Sequence, residues 1–306
     1  MRLIKEGFYF DFVGKSKFFI TFSLILVLIS IVSLVHNKMK TGSLFNYGVD
    51  FTGGTVIQID LGYTPNLEKI RNELSATGIK GITVQSFGDQ NAILLRIPEL
   101  GLHPKEIENR IMGVLSKMYP KAKVIRLENV GPKAGSELRG KSIKAIILSC
   151  LAMLIYIGWR FQFHFGLGAI IAIIHDILVV AGVFALFNLE VDLQIIAALL
   201  TIAGYSVNDT IIIYDRIREN LAKFDRSKTP IERIINISIS ETMNRTIITS
   251  LLVLIVSLSL LFLGNEIIRG FALAFTIGTI FGTYSSIYVA TPIALKVEEL
   301  MRRFKK

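Results

Sequence analysis

Residues 18–35 read FFITFSLILVLISIVSLV, eighteen positions without one charged side chain. A helix rises about 1.5 Å per residue, so a run of this length matches the roughly 30 Å hydrocarbon core of a bilayer. Arg2, Lys5, Lys15 and Lys17 precede it, which is also how a secretory leader begins. A leader has a shorter apolar core, of about 7–15 residues, and small residues at its cleavage site. Here His36, Asn37, Lys38 and Met39 follow. The run therefore reads as an uncleaved first membrane span.

Working outward, five more apolar runs qualify: 143–159, 165–187, 193–213, 246–263 and 271–290. Lys144 sits near the start of the second, where a long side chain can snorkel to the interface. The composition agrees. Hydrophobic residues make up 52% of the 306 and charged ones only 19%, against about 25% charged in a soluble domain. A net charge of +10 would point to nucleic acid in a soluble protein, but no nucleic-acid motif accompanies it. The basic residues set topology instead. They gather in the tail 1–17, in the loop 214–245 and in the tail 291–306 (Lys296, Arg302, Arg303, Lys305, Lys306), while 188–192 has none and 264–270 has only Arg269. By the positive-inside rule both termini are cytoplasmic and 36–142 lies outside. Within the 214–245 loop, Thr229, Pro230 and Glu232 form a capping box. Ile231, Ile234, Ile235 and Ile239 then predict a short amphipathic helix on the inner membrane face. The single cysteine, Cys150, excludes an intrachain disulfide and reads as a small buried hydrophobe.

The external segment carries its own pattern. Residues 55–61, 82–87, 92–97 and 123–127 read as strands, with a turn at 88–91 between the middle two. Residues 66–77 and 104–118 have apolar positions at helical spacing. The order β-α-β-β-α-β is that of the ferredoxin-like split unit. The expected fold class is thus an α-helical polytopic membrane protein of six transmembrane helices with a ferredoxin-like α+β periplasmic domain. That domain has no metal cluster or catalytic triad, which favours binding or coupling over catalysis. No enzymatic activity, metal or cofactor is expected.

Ionisable groups inside a bilayer are costly and are functional candidates by default. Asp209 lies near the cytoplasmic end of the fourth span, and Thr201, Tyr205 and Asp209 recur every four residues on one helix face. Asn208 and Ser206 are close by. Burial disfavours the charged form of such a carboxylate and a neighbouring cation favours it, so proton transfer can switch it. Arg245 opens the fifth span at similar depth, where an ion pair with Asp209 is geometrically reasonable; it also suits a plain topology anchor. His175 and Asp176 lie midway along the third span, either as part of the same polar relay or as packing hydrogen bonds. Ala274, Gly278, Gly282, Ser286 and Ala290 form a small-residue stripe suited to close helix contact, expected to pack against a partner. Asp176 and Asp209 on adjacent spans also raise an intramembrane aspartyl protease, but Ser206-Val207-Asn208 before Asp209 is not the glycine-rich context of those enzymes.

The segment Gly48-Val49-Asp50-Phe51-Thr52-Gly53-Gly54-Thr55 resembles the signature after the first span of the SecD/SecF family of protein-export membrane subunits. Gly204-Tyr205-Ser206-Val207-Asn208-Asp209-Thr210, running on to Tyr214-Asp215-Arg216-Ile217-Arg218-Glu219-Asn220, resembles the fourth-span signature of its SecF branch. His175-Asp176, Asn244-Arg245-Thr246 and Val130-Gly131-Pro132 are similar to further motifs. The resemblance covers nearly the whole chain. It implies half of an RND-superfamily bundle, completed by a separate SecD, in a bacterial inner membrane. It implies work with the SecYEG channel and its ATPase SecA on unfolded preprotein, with YajC and YidC as further candidate companions and protons as the coupling ion. Asp209 and Arg245 match the family's proton-conducting pair. Gly53, Gly54, Gly131 and Pro132 would flank a moving external domain as its hinge. The alternatives are a passive translocon scaffold and a proton-driven exporter of small molecules from the same superfamily.

Overall fold

A computed structural model describes residues 7–75, 78–79, 81–87, 91–225 and 227–304. Arg2, Lys5, Arg226, Lys305 and Lys306, the turn at 88–90 and the helix end at 76–77 lie outside the described residues. In chain order the elements are α1 (Ser16–Thr41), β1 (Asn46–Tyr47), α2 (Val49–Thr52), β2 (Gly54–Asp60), α3 (Leu67–Ser75), β3 (Thr83–Phe87), β4 (Ala92–Ile97), α4 (Pro104–Met118) and β5 (Lys123–Val130). Then come α5 (Pro132–Arg160), α6 (Phe163–Leu186), β6 (Glu190–Val191), α7 (Leu193–Lys223), α8 (Ile231–Leu263) and α9 (Glu266–Ser285). A π-helical turn (Ser286–Ala290) leads into α10 (Thr291–Phe304).

Six helices are long and apolar enough to cross a membrane: α1, α5, α6, α7, α8 and the continuous stretch Ile267–Met301. They form a multi-pass membrane bundle. In their most apolar windows α6 and α7 are 56% and 50% buried, but α1, α5 and α8 only 17%, 11% and 11%. The polar chemistry therefore centres on α6 and α7, and the other helices carry the apolar surface. Helix starts follow local rules. Pro132 occupies the first turn of α5, where its missing N–H costs nothing. Asp192 caps α7 by accepting from the Ile195 N–H at 3.0 Å, and Asn265 caps α9 by accepting from Ile268 at 3.2 Å.

The sheet domain has β-α-β-β-α-β order and the antiparallel strand order β3-β4-β2-β5. Alternation sends Ile57 and Ile59 of β2, with Leu61 just past its end, and Ile93, Leu95 and Ile97 of β4 to one face. There they meet Ile70 and Leu74 of α3 and Ile107, Ile111 and Leu115 of α4, all at most 2% exposed. A separate two-stranded pairing ties the domain's entry to the bundle: β1 runs parallel to β6, with Asn46 opposite Glu190 and Tyr47 opposite Val191.

Three expectations change. The surface helix at 231–245 is not separate: it is the first part of α8, which runs unbroken to Leu263. No glycine or proline interrupts 231–263, so nothing turns the chain before the apolar run. Ile234, Ile235 and Ile239 are buried, and Asn220 of α7 donates to Ser238 at 3.0 Å. The capping box also fails: Pro230 is the cap residue and no side-chain hydrogen bond caps the helix. Third, the small-residue stripe packs within the chain and not against a partner. A Cβ on Gly278 would sit 2.3 Å from Ile202 of α7, and one on Gly282 3.2 Å from Cβ of Ser206. Ala274 is fully buried beside Ile202, and Ser286 bonds Thr210 at 2.8 Å. Small residues here let α9 approach α7 closely.

Candidate functional site

Two polar clusters lie on two faces of α7. Asp209 is fully buried (0% exposed). Its Oδ2 accepts a long 3.4 Å contact from Ser250 of α8, and its Oδ1 has no hydrogen-bond partner. Tyr205 donates to Ser250 at 2.8 Å, Ser250 and Thr283 of α9 share a hydrogen at 2.7 Å, and Thr283 reaches the Thr279 carbonyl at 2.9 Å.

Counting hydrogens shows what this chain of hydroxyls can do. Each hydroxyl owns one hydrogen and accepts two. If Asp209 is ionised, Ser250 donates to it and Thr283 donates to Ser250. If Asp209 is protonated, it donates to Ser250, Ser250 turns its hydrogen to Thr283, and Thr283 donates to the Thr279 carbonyl. A proton on Asp209 is thereby coupled to the orientation of hydroxyls on α8 and α9.

Arg245 is exposed and lines an open cleft of about 440 Å³ with Arg160, Asp215, Arg216, Glu219 and Glu241. The cleft lies at the end of the bundle away from the sheet domain. Its walls are ion-paired: Arg216 with Glu219 at 2.8 Å and Glu241 at 3.2 Å, Arg160 with Asp215 at 3.8 Å. Among the described residues no ion pair within 4.0 Å joins Arg245 to Asp209. Ser250 provides the contact instead. Thr201 and Asn208 are exposed, and Thr201 turns its hydroxyl back to the Ala197 carbonyl at 2.8 Å. Of the expected face, Tyr205 alone joins Asp209.

His175 and Asp176 belong to the second cluster. Asp176 is fully buried. Its Oδ1 meets His175 Nδ1 at 3.0 Å, and its Oδ2 accepts from Ser206 of α7 at 2.7 Å and from Ser285 of α9 at 2.8 Å. One carboxylate thus ties three helices. Gly282 leaves room for it: a Cβ there would lie 3.6 Å from Asp176 Oδ2. Among the described residues no side-chain hydrogen bond links this cluster to Asp209, so the single relay expected from sequence divides in two. The π-helical turn follows directly, with Ser286 bonding Thr210 at 2.8 Å. A Cβ on Gly168 of α6 would sit 2.5 Å from the Ala290 carbonyl, so α6 packs tightly on this widened turn. Ser250, Thr283 and Ser285 escape a sequence reading. A hydroxyl in an apolar run looks the same whether it bonds its own helix or a neighbour's acid.

The glycine pair meets the start of α5. Gly53 has φ 78° and Gly54 φ 132°. A Cβ on Gly53 would lie 2.9 Å from Cα of Pro132, and one on Gly54 2.4 Å from the Ile97 carbonyl. Only glycine fits either place. A Cβ on Gly131 would meet nothing within 4 Å, and this residue takes an extended conformation as the α5 cap.

Comparison with known proteins agrees with this architecture. A family model described as "Protein export membrane protein SecD/SecF, C-terminal" matches residues 111–300, and one for the SecD/SecF GG motif matches 45–61. The chain is 42% identical over 296 residues to the protein translocase subunit SecF of Desulfurispirillum indicum, covering 95% of this chain and 92% of that protein. It is 39% identical over 306 residues to that of Calditerrivibrio nitroreducens, covering 99% of both. Among solved structures it superposes on SecDF, a translocon-associated membrane protein from Thermus thermophilus, with a TM-score of 0.82, 34% identity and 96% of this chain covered. A super-membrane-facing form of SecDF gives 0.71 at the same identity, with 100% covered. The chain spans only 39% and 40% of those two solved chains. With a family model matching residues 111–300 and relatives about 40% identical over nearly the whole chain, the chain belongs to the SecD/SecF family of protein-export membrane proteins.

Proposed function

We propose that this chain is the SecF-type half of a proton-driven unit that, with a SecD-type companion, draws unfolded preprotein across the bacterial inner membrane through SecYEG after the ATP-driven steps of SecA. Both termini are cytoplasmic, and the sheet domain is a ferredoxin-like unit on the periplasmic side. Protons are the coupling ion, and no chemical catalysis is involved. The observation that carries the reading is Asp209: a fully buried acid with one unpartnered oxygen, coupled to α8 and α9 through hydroxyls. Beside it stands a cation in a cleft that opens toward the proposed cytoplasm. The exposed polar strip of Thr201, Gly204, Asn208 and Arg245 is where the companion's six spans would complete an RND-type bundle. SecA, YajC and YidC enter through family membership alone.

One charge crossing 100 mV yields about 2.3 kcal/mol, and reversing a 1:99 equilibrium takes about 5.5 kcal/mol. Two to three protons therefore suffice to swing the sheet domain between two orientations about the Gly53-Gly54 and Gly131-Pro132 junction. The test reconstitutes the chain with its companion and translocon in vesicles and follows preprotein release with and without a proton gradient. Release should accelerate with the gradient and lose that gain when a protonophore collapses it. Equal rates would leave a passive scaffold. Ser250→Ala should lower the gradient-driven gain about five- to tenfold, the worth of roughly one hydrogen bond, while Ser250→Thr retains it. Equal gain in both variants would remove the hydroxyl coupling.

A further inference from the structure

We infer that Arg96 and Glu190 form a proton-sensitive latch that holds the sheet domain against the membrane bundle. Glu190 lies on β6, in the loop between α6 and α7, and Arg96 lies on β4 of the sheet domain. Their side chains form an ion pair across the junction, each less than a quarter exposed (24% and 21%). The pair is built in on both sides. Arg96 also donates to Gln85 of β3 at 2.8 Å. The Glu190 carboxylate occupies space left by Gly48, whose Cβ would lie 2.6 Å from Oε1, and the Gly48 N–H donates to the Val191 carbonyl at 2.9 Å.

The charges around Glu190 are unbalanced. Asp50 of α2 accepts from the Leu193 N–H at 3.1 Å, and Asp192 caps α7. Both carboxylates therefore act on Glu190 against the Arg96 guanidinium. Arg139 of α5, the next cation, is engaged over the Tyr47 ring at 5.3 Å. Burial is the largest influence on Glu190, and with Asp192 and Asp50 it outweighs Arg96 and pushes the carboxyl up to about 7. Burial raises Asp192 as well.

The sign follows from proton counting. An undocked Glu190 in water titrates near 4.5, so between about 4.5 and 7 the docked form holds a proton that the undocked form has lost. Acid therefore favours docking. The preference is full below about pH 4.5, weakens as the pH rises toward about 7, and is gone above it, when all three carboxylates repel one another. Protonated Glu190 still accepts from Arg96, so the latch closes on acid and loosens on base. On the periplasmic face assigned above, the latch would read the pH of the proton source. Its existence does not depend on that assignment, or on proton use at Asp209.

The test places the full chain, with Cys150→Ala, in lipid nanodiscs. Spin labels sit at Lys117→Cys on α4 and Ser259→Cys near the sheet end of α8, both exposed positions. Pulsed electron resonance then gives their separation from about pH 5 to 9. One short, narrow distance is expected at the acid end. A second, longer population should grow in between about pH 5 and 7 and level off above it, the docked-to-open ratio changing on the order of a hundredfold. Glu190→Gln should stay docked throughout. Arg96→Gln should extend the change to higher pH, because the cation favours ionised Glu190. Distances unchanged across that pH range, or the same transition in Glu190→Gln, would overturn the latch.

Discussion

Asp209→Asn should return preprotein release to the rate measured with the gradient collapsed, while the protein still assembles. Asparagine has the size and shape of the carboxyl it replaces, and its amide can both donate to and accept from Ser250. The fully buried packing around Asp209 and the contacts through Tyr205 and Thr283 are kept. What is lost is the exchangeable proton. At 100 mV one proton supplies about 2.3 kcal/mol, which is worth about 50-fold in an equilibrium or a rate. A variant that cannot bind a proton forfeits that factor for each turnover. Asp209→Glu should keep part of the gain, since it restores the acid at the cost of crowding a fully buried site. Arg245→Met tests the neighbour. The cation is exposed on the cleft and does not touch Asp209, so its removal should slow proton exchange without unfolding the bundle. Full gradient-driven release by Asp209→Asn would end the proton-motor reading and leave a scaffold.

How much of this is legible in the sequence depends on whether a feature belongs to one helix or to several. The six runs are properties of single segments, set by the thickness of a bilayer, and all six appear as helices. The β-α-β-β-α-β order is equally local, since the period of two and the period of 3.6 are written in residues 54–130. Asp209 stands out because an acid in an apolar run is costly wherever it points. Direction is the part that local patterns lack. The stripe of Ala274, Gly278, Gly282 and Ser286 announces a close contact but not with what, and the answer is α7 of the same chain. Thr201, Tyr205 and Asp209 share a face by periodicity, yet a face spans enough arc for Thr201 to be exposed and Asp209 buried. The length of α8 escapes for another reason. Its early polar residues resemble a surface segment, and they become buried only because α7 extends past the apolar run to meet them. The latch is the least legible of all. Arg96 and Glu190 are ordinary surface residue types, far apart in the chain and on strands of different sheets.

Asp176→Ala should destabilise the bundle where Asp209→Asn should not, and the contrast assigns different work to the two buried acids. Removing the Asp176 carboxyl takes away the acceptor for Ser206 and Ser285 and the partner of His175 Nδ1. Each buried polar group left without a partner costs about 1–3 kcal/mol. The serines can recover some of this by turning to backbone carbonyls of their own helices, as Ser285 already does toward Gly282 at 3.1 Å. A net loss of about 3 kcal/mol remains, and the melting temperature should fall by roughly 5–10 °C. Asp176→Asn should recover most of it, because the amide oxygen can accept from both serines while its NH₂ faces His175. The acid need not exchange a proton to do this, so the asparagine variant should also keep gradient-driven release. If Asp176→Ala melts with the wild type, the three-helix tie carries no stability. If Asp176→Asn melts normally but loses gradient-driven release, the carboxyl is a second proton carrier. The two clusters on α7 would then have to communicate through motion of the helix itself, since among the described residues no side-chain hydrogen bond connects them.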